Sequence, residues 1–290
     1  MLEAKTAYYR AKLSTGWDAR DRSGAVTRSV SVMIAAVFLA FALVSYPLGA
    51  AETKPPPTVD ELIEYFDTIV FKSEFDSVAP STVVKKWTGP LRVGIRAFEE
   101  TVIEMDGREV RQLKRIKVKK PHIKFIKKHL KNLVRATGLK TEDAKKTGLP
   151  PNLMIYFVPR QQMANPYLSN VEPKLLKKLA SEGGCYFLVW ADNKTGKISK
   201  ATIVVNSERL LIRINHCLLE EMTQSLGLPN DSNQINPSIF SDRSRRTDLT
   251  RTDLIILKAL YDPRMKAGLP RDKALVLART VIGELNATLP

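Results

Sequence analysis

Two cysteines (Cys185, Cys217) and three histidines (His122, His129, His216) are all the soft or borderline metal ligands that the 290 residues carry. A four-cysteine zinc site and a three-histidine site with a spare base are therefore short of parts. The sequence also lacks G-x-x-x-x-G-K-[ST], G-x-S-x-G and C-x-x-C, which removes the commonest nucleotide, serine-hydrolase and thiol-redox signatures. Acidic residues are in the minority, 30 against 46 Lys and Arg, so the chain carries a formal +16 and favours anionic surroundings. No internal repeat and no low-complexity tract interrupts it. The length allows one or two domains with a sizeable core.

The first 51 residues have the organisation of a targeting segment. Arg20, Arg22 and Arg28 precede an uncharged apolar run over residues 30–44, which ends in Pro47-Leu48-Gly49-Ala50-Ala51. Small residues at that spacing suit signal peptidase, and the run is alternatively just long enough for an uncleaved membrane anchor. Either way the remainder is expected on the exported side, periplasmic or secreted, or tethered to the inner membrane. A linker follows at 52–57, then a domain over 58–270 and a C-terminal helical tail over 271–290.

Within the domain, Thr58 and Glu61 form a T-x-x-E capping box ahead of Val59, Leu62, Ile63, Phe66, Ile69 and Val70 at helical spacing. Alternation after Trp87 and Gly89-Pro90 predicts a strand over 91–98. Ile123, Ile126, Leu130, Leu133 and Val134 stripe a helix that Gly138 stops. Leu153 to Val158 reads as a short strand ended by Pro159. Residues 186–191 and 197–205 flank Asp192-Asn193-Lys194-Thr195-Gly196 as a hairpin. A long helix is expected over 208–226, closed by Gly227, and another from Thr250, with Asp253 three residues on, to Tyr261. The expected class is α+β, a small mixed sheet with helices packed on it.

Residues 110–141 hold twelve Lys or Arg and no acid. The block reads as a solvated helix face, and as a surface for docking to an anionic envelope. Nucleic acid is not expected as partner, because Phe125 is the only aromatic there and export removes the chain from the genome. His122 and His129, seven apart, could share one face of this helix, with no metal role assigned.

Residues 215–231 carry the most specific pattern. Glu220-Glu221-x-x-Gln224-x-x-Gly227-x-x-Asn230 has the spacing of the metzincin metal helix, H-E-x-x-H-x-x-G-x-x-H, with the general-base glutamate and the turn glycine kept and all three histidines replaced. Ser238-Ile239-Phe240-Ser241 falls where those peptidases have their methionine turn. Leu249-Thr250-Arg251-Thr252-Asp253-Leu254, through Leu260-Tyr261, resembles their closing helix. Cys185, His216-Cys217, Glu220-Glu221, Gln224, Gly227-Leu228, Asn230-Asp231-Ser232 and Leu260-Tyr261-Asp262-Pro263-Arg264 together resemble an exported bacterial family, domain of unknown function family 2927, over residues 58–270.

That resemblance implies a zincin-like domain and supplies no activity of its own. Glu220, Gln224 and Asn230 would occupy degenerate ligand positions, Glu221 would be the candidate general base, and His216, Gly227 and Asp231 would support the cleft. A Glu/Gln/Asn set offers only oxygen, so zinc is not expected as cofactor, while a hard cation such as calcium or magnesium fits the donor type. Three further readings stay open. The helix is a polar wall of a cleft satisfied by hydrogen bonds; the paired carboxylates serve an atypical metal hydrolase; or His216 and Glu220, at i and i+4, form a metal pair. The first makes the domain a non-catalytic binding module for an envelope protein or peptide, taken as an added strand on a sheet edge.

An exported chain with an even count of two cysteines favours a Cys185–Cys217 disulfide over two buried thiols. Cys217 is not expected to act as a nucleophile with His216, because neighbours on a helix point about 100° apart.

Export predicts that mass spectrometry of the mature protein finds a chain beginning at Glu52, or an intact one in the membrane fraction. An intact chain confined to the cytoplasm would end that reading.

Overall fold

The computed structural model describes residues 55–73, 79–181 and 184–289 in full, and residues 5–11 by their backbone alone. The arginines 20, 22 and 28, the apolar run over 30–44 and the Gly49-Ala50-Ala51 site lie outside the described residues.

Helix α1 (Val59–Phe71) opens on the expected box: the Thr58 amide donates to Glu61 Oε2 at 2.8 Å and the Glu61 amide to Thr58 Oγ1 at 3.2 Å. After β2 (Lys86–Trp87) come β3 (Val93–Met105) and β4 (Arg108–Ile116), a long antiparallel hairpin. Its two-residue loop, Asp106-Gly107, has φ of 53° and 70°, the left-handed pair that keeps strand twist continuous through a tight turn. The strand expected over 91–98 therefore runs on to Met105. The basic block is not one helix face: residues 110–116 belong to the exposed edge strand β4, and only Lys120–Thr137, in α2, is helical.

Then follow α3 (Ala144–Thr147), β5 (Leu153–Val158), two short 3-10 turns (Arg160–Gln162, Pro166–Leu168), α4 (Pro173–Ser181), β6 (Cys185–Asp192) and β7 (Lys197–Asn206). The β6–β7 turn is held by Asp192 Oδ1, which accepts from the amides of Lys194 at 3.0 Å and Thr195 at 2.6 Å. Those donors hold the Asp192 carboxyl below its ordinary pKa. The chain closes with α5 (Leu211–Gln224), α6 (Arg251–Tyr261) and α7 (Arg271–Thr288). The Thr250–Asp253 box caps α6 as expected.

The class is α+β, with seven α-helices among the described residues and a mixed sheet. Its order is β6-β7-β5-β3-β4, with β2 beside β7. Strands β3, β5 and β7 are parallel to one another, and β4 and β6 flank them antiparallel. Lys5–Ala11, counted above with the N-terminal segment, adds a strand (β1) antiparallel to β6. None of the helices among the described residues is long and apolar enough to cross a membrane.

The sheet separates two apolar layers. The larger gathers Leu62, Phe66 and Ile69 of α1, Ile155 and Ile203 of the sheet, Leu218 and Met222 of α5, and Ile255 and Leu257 of α6. It takes in Ala274, Ala278, Val281 and Ile282 of α7, so that helix belongs to the core. The smaller layer, on the other face, is Tyr156, Val158, Tyr186, Leu188 and Val204 under Leu176 and Leu179 of α4. The alternation of side chains along β5 and β7 divides them between the layers.

Cys185 at the start of β6 and Cys217 in α5 are joined in a disulfide across 32 residues of chain. In the chain-entropy model a closed loop of that size stabilises the fold by about 3–4 kcal/mol. Replacing both cysteines by serine should lower the unfolding free energy by about that amount in a denaturant titration. Alkylation of the folded, unreduced protein should label neither sulfur; labelling of both would refute the pairing.

Candidate functional site

Helix α5 is buried from Ile214 to Gln224 without interruption. A helix with core on every side must satisfy its polar residues internally, because water cannot reach them. Glu220, Glu221 and Gln224 have no exposed surface, and His216 and Asn230 keep 3% and 6%.

The residues expected at degenerate ligand positions, with His216 beside them, bond in three different directions. His216 Nδ1 donates to the Arg246 carbonyl at 2.7 Å, and its Nε2 meets Glu220 Oε2 at 3.3 Å, a contact that needs a proton on one of the two atoms. Gln224 Nε2 donates to Asp231 Oδ1 at 2.7 Å. Asn230 Nδ2 donates to the Thr68 carbonyl at 3.0 Å, and its amide to the Ile69 carbonyl, so Asn230 ties the loop after α5 to the end of α1. The Gln224 Oε1 and Asn230 Oδ1 atoms remain buried acceptors without a hydrogen-bond donor.

Among the described residues, one group of three His, Cys, Asp or Glu side chains brings ligand atoms together: Cys185, Glu220 and Glu221, all within 4.8 Å of one another. Two carboxylates are thus packed beside the disulfide sulfur. That sulfur is already bonded to Cys217 and has no thiolate to give a cation. Arg209 supplies positive charge here: Glu220 favours its charged form, while burial and the like charges of Arg213, Arg245 and Arg160 push its pKa down.

The end of α5 is closed by long-range donors, Trp87 and Tyr261, to which the sequence assigned no such bond. Trp87 Nε1 donates to the Ser225 carbonyl at 2.9 Å, and the Tyr261 hydroxyl to the Leu226 carbonyl at 2.8 Å. These bonds satisfy carbonyls that a helix terminus leaves open. Gly227 then turns the chain with φ of 110°, where a Cβ would lie 2.0 Å from the Lys85 carbonyl oxygen. The recess that Gly227, Pro229 and Lys85 help to line holds about 10 Å³, the space of about one water.

Ser238-Ile239-Phe240-Ser241 is also anchored, by a buried acid. Asp253 accepts from the Ser238 hydroxyl at 2.6 Å and from the amides of Ile239 and Thr250 at 3.2 and 2.7 Å. Tyr65 of α1 donates in turn to Ser238 at 2.7 Å. Burial pushes the Asp253 carboxyl above its ordinary pKa, against the pull of these donors. The sequence offered Asp253 only as a capping residue; its second duty spans 15 positions and has no local signal.

His122 and His129 do share a face of α2, but it is the buried face, with exposures of 1% and 0%. Although the block reads as a solvated helix face, the apolar stripe of α2 carries both rings inward. His129 Nε2 donates to Asn215 Oδ1 of α5 at 2.8 Å. His122 stacks on Phe157 of β5, ring centroids 4.3 Å apart.

The geometry defines an α+β domain built around a helix that is buried from Ile214 to Gln224, polar residues included, and stapled to its sheet by a disulfide. A family model described as "Protein of unknown function (DUF2927)" matches residues 59–279, most of the chain, and the chain belongs to that family. The match begins with the first residue of α1 and ends within α7. No curated protein and no solved structure matches it.

Gly227→Ala is expected to destabilise the fold by about 2–4 kcal/mol, through a backbone clash and a strained φ. Gly89→Ala, with open space around its Cβ position, should change stability by less than about 0.5 kcal/mol. Equal effects in thermal unfolding would contradict the close approach at Lys85.

Proposed function

We propose that this domain is an exported, non-catalytic binding module of the cell envelope. In this reading α5 and its glycine turn keep the frame of a metzincin metal helix whose ligand positions have passed to structural duties. The observation that carries it is the complete burial of Glu220, Glu221 and Gln224. A general base has to come within hydrogen-bond reach of the proton it removes, and a carboxylate with no exposed surface has no route to a peptide substrate. The disulfide supports export, since such bonds persist in oxidising compartments.

The binding face that this reading favours is basic. Edge strand β4 presents Arg108, Arg111, Lys114 and Arg115 to solvent, and α2 adds Lys120, Lys124, Lys127 and Lys131. At the tip of the hairpin, Val102, Met105 and Val110 are 50%, 53% and 39% exposed, so cations and apolar side chains are offered together. An anionic envelope surface, or an acidic segment of an envelope protein added to the β4 edge, fits both the charge and the open hydrogen bonds of an edge strand.

One observation favours a second reading, an atypical metal-dependent hydrolase: the convergence of Cys185, Glu220 and Glu221. It would need the disulfide opened, so that a thiolate joins the two carboxylates.

The experiment compares the oxidised protein with Glu221→Gln. With zinc or calcium supplied, both should fail to cleave an unbiased peptide library, and calorimetry should detect no zinc binding. Both should bind anionic vesicles, more weakly as salt rises. Peptide cleavage by the wild type that falls by about two to four orders of magnitude in Glu221→Gln would replace this reading with the hydrolase.

A further inference from the structure

Helix α5 begins on three aliphatic residues that face water: Leu210, Leu211 and Ile212 are 74%, 47% and 58% exposed. Single exposed apolar side chains are ordinary on a protein surface, whereas three in succession make a patch. Leu210 also stands at the N-cap, where Ser, Thr, Asp or Asn would close the first turn with a side-chain bond, and it supplies none. Neither burial nor capping accounts for aliphatic residues at these positions.

The patch is fixed in place. The Arg213 and Ile214 amides donate to the Leu210 carbonyl at 2.9 and 3.0 Å, and just before it the Ser207 amide donates to the Val158 carbonyl of β5 at 2.8 Å. One turn further on, Cys217 pins the helix to β6. A partner that covers such a surface has little of it to order on binding.

Cations surround it. Arg160 follows β5 by two residues and Arg209 follows β7 by three, and the last residues of those strands, Val158 and Asn206, are paired. Arg213 comes next on α5 and Arg245 from the loop before α6. Arg213, Arg245 and Arg160 are all close enough for their like charges to act on Arg209. Arg160 and Arg245 bond to backbone carbonyls, of Ser181 and of Asp242 and Ser244, rather than to acids. Glu208, at the same rim, accepts from the Arg160 amide at 3.1 Å and offsets one charge. α2 lies alongside, with His129 bonded to Asn215 and Lys128 Nζ to the Thr247 carbonyl at 3.1 Å, so its exposed lysines extend the same positive field.

We propose that the start of α5 is a membrane-docking knuckle: Leu210, Leu211 and Ile212 enter the interface of an anionic bilayer while Arg160, Arg209, Arg213 and Arg245 meet its phosphates. Protruding aliphatic side chains suit acyl chains, which close around a convex shape, and arginine stems lie along apolar surface with the charged head at phosphate level. The inference rests on the envelope reading above and names a contact face distinct from the β4 edge.

The test uses the exported protein with vesicles of phosphatidylcholine, with and without phosphatidylglycerol. A polarity-sensitive fluorophore is attached at Leu211→Cys; the two native cysteines are joined to each other, so the new thiol is the one labelled. The expected result is a blue shift, and quenching by lipids that carry a nitroxide on the acyl chain, with the anionic vesicles only. The same label at Val276→Cys, a position 75% exposed on α7, should stay in water. Leu210→Ser with Leu211→Ser and Ile212→Ser should fold normally and bind anionic vesicles about tenfold or more weakly. Arg213→Gln should weaken binding about fivefold. If the serine variant does not fold, the two labels decide alone. A label at position 211 that stays in water while the protein binds anionic vesicles, or full binding by the serine variant, would overturn the knuckle and leave the envelope reading standing on β4 and α2. Absence of any binding to anionic vesicles would overturn both.

Discussion

Everything in the α5 region follows from one constraint: the segment from His216 to Gln224, which carries His, two Glu and Gln within nine residues, is sunk into the core. The disulfide from Cys217 to the first residue of β6 fixes that helix against the sheet. Polar groups placed there must find partners in the protein, and they do so across long stretches of chain: His216 at the Arg246 carbonyl, Gln224 at Asp231, Asn230 at Thr68. The interactions that surround α5 therefore join α1, β6 and the segment between α5 and α6 into one unit. Buried polar contacts of this kind favour a unique arrangement, because breaking one leaves a further buried group unpaired.

The same constraint separates the domain into an inner and an outer chemistry. Inside, the carboxylates at Glu220 and Glu221 lie beside a sulfur already spent in the disulfide. Outside, the cations of β4 and α2 face water, on a hairpin edge that has no strand beyond it among the described residues. At the carboxyl ends of the parallel strands lies a half-open recess lined by His122, Lys117 and Lys119. The basic excess of the composition is thus not spread evenly in meaning.

Local signals were legible wherever short-range physics fixes the backbone. The Thr58–Glu61 and Thr250–Asp253 boxes, the Asp192–Gly196 turn, Gly138 and Gly227 were read from residue type and spacing, and each does its local work. The β3–β4 hairpin was missed although Asp106-Gly107 is a strong two-residue turn signal. The density of Lys and Arg after it suggested a helix face, while charge says only that a segment meets water, which edge strands and helices do alike. α4 was passed over because it is short and half its residues are polar.

The sequence by itself determined the α+β class, the helix caps and turns, the pairing of the two cysteines and the family to which residues 59–279 belong. Those depend on neighbours within a few positions, on parity, or on a pattern preserved along the chain. Tertiary structure alone decided that Glu220, Glu221 and Gln224 are sealed from solvent, that His122 and His129 turn inward, and that β3, β5 and β7 end together around a cavity. Helical spacing places residues on one face but does not say whether that face meets water or core. The answer comes from what packs over it, and here the covering elements are tens of residues away in the chain.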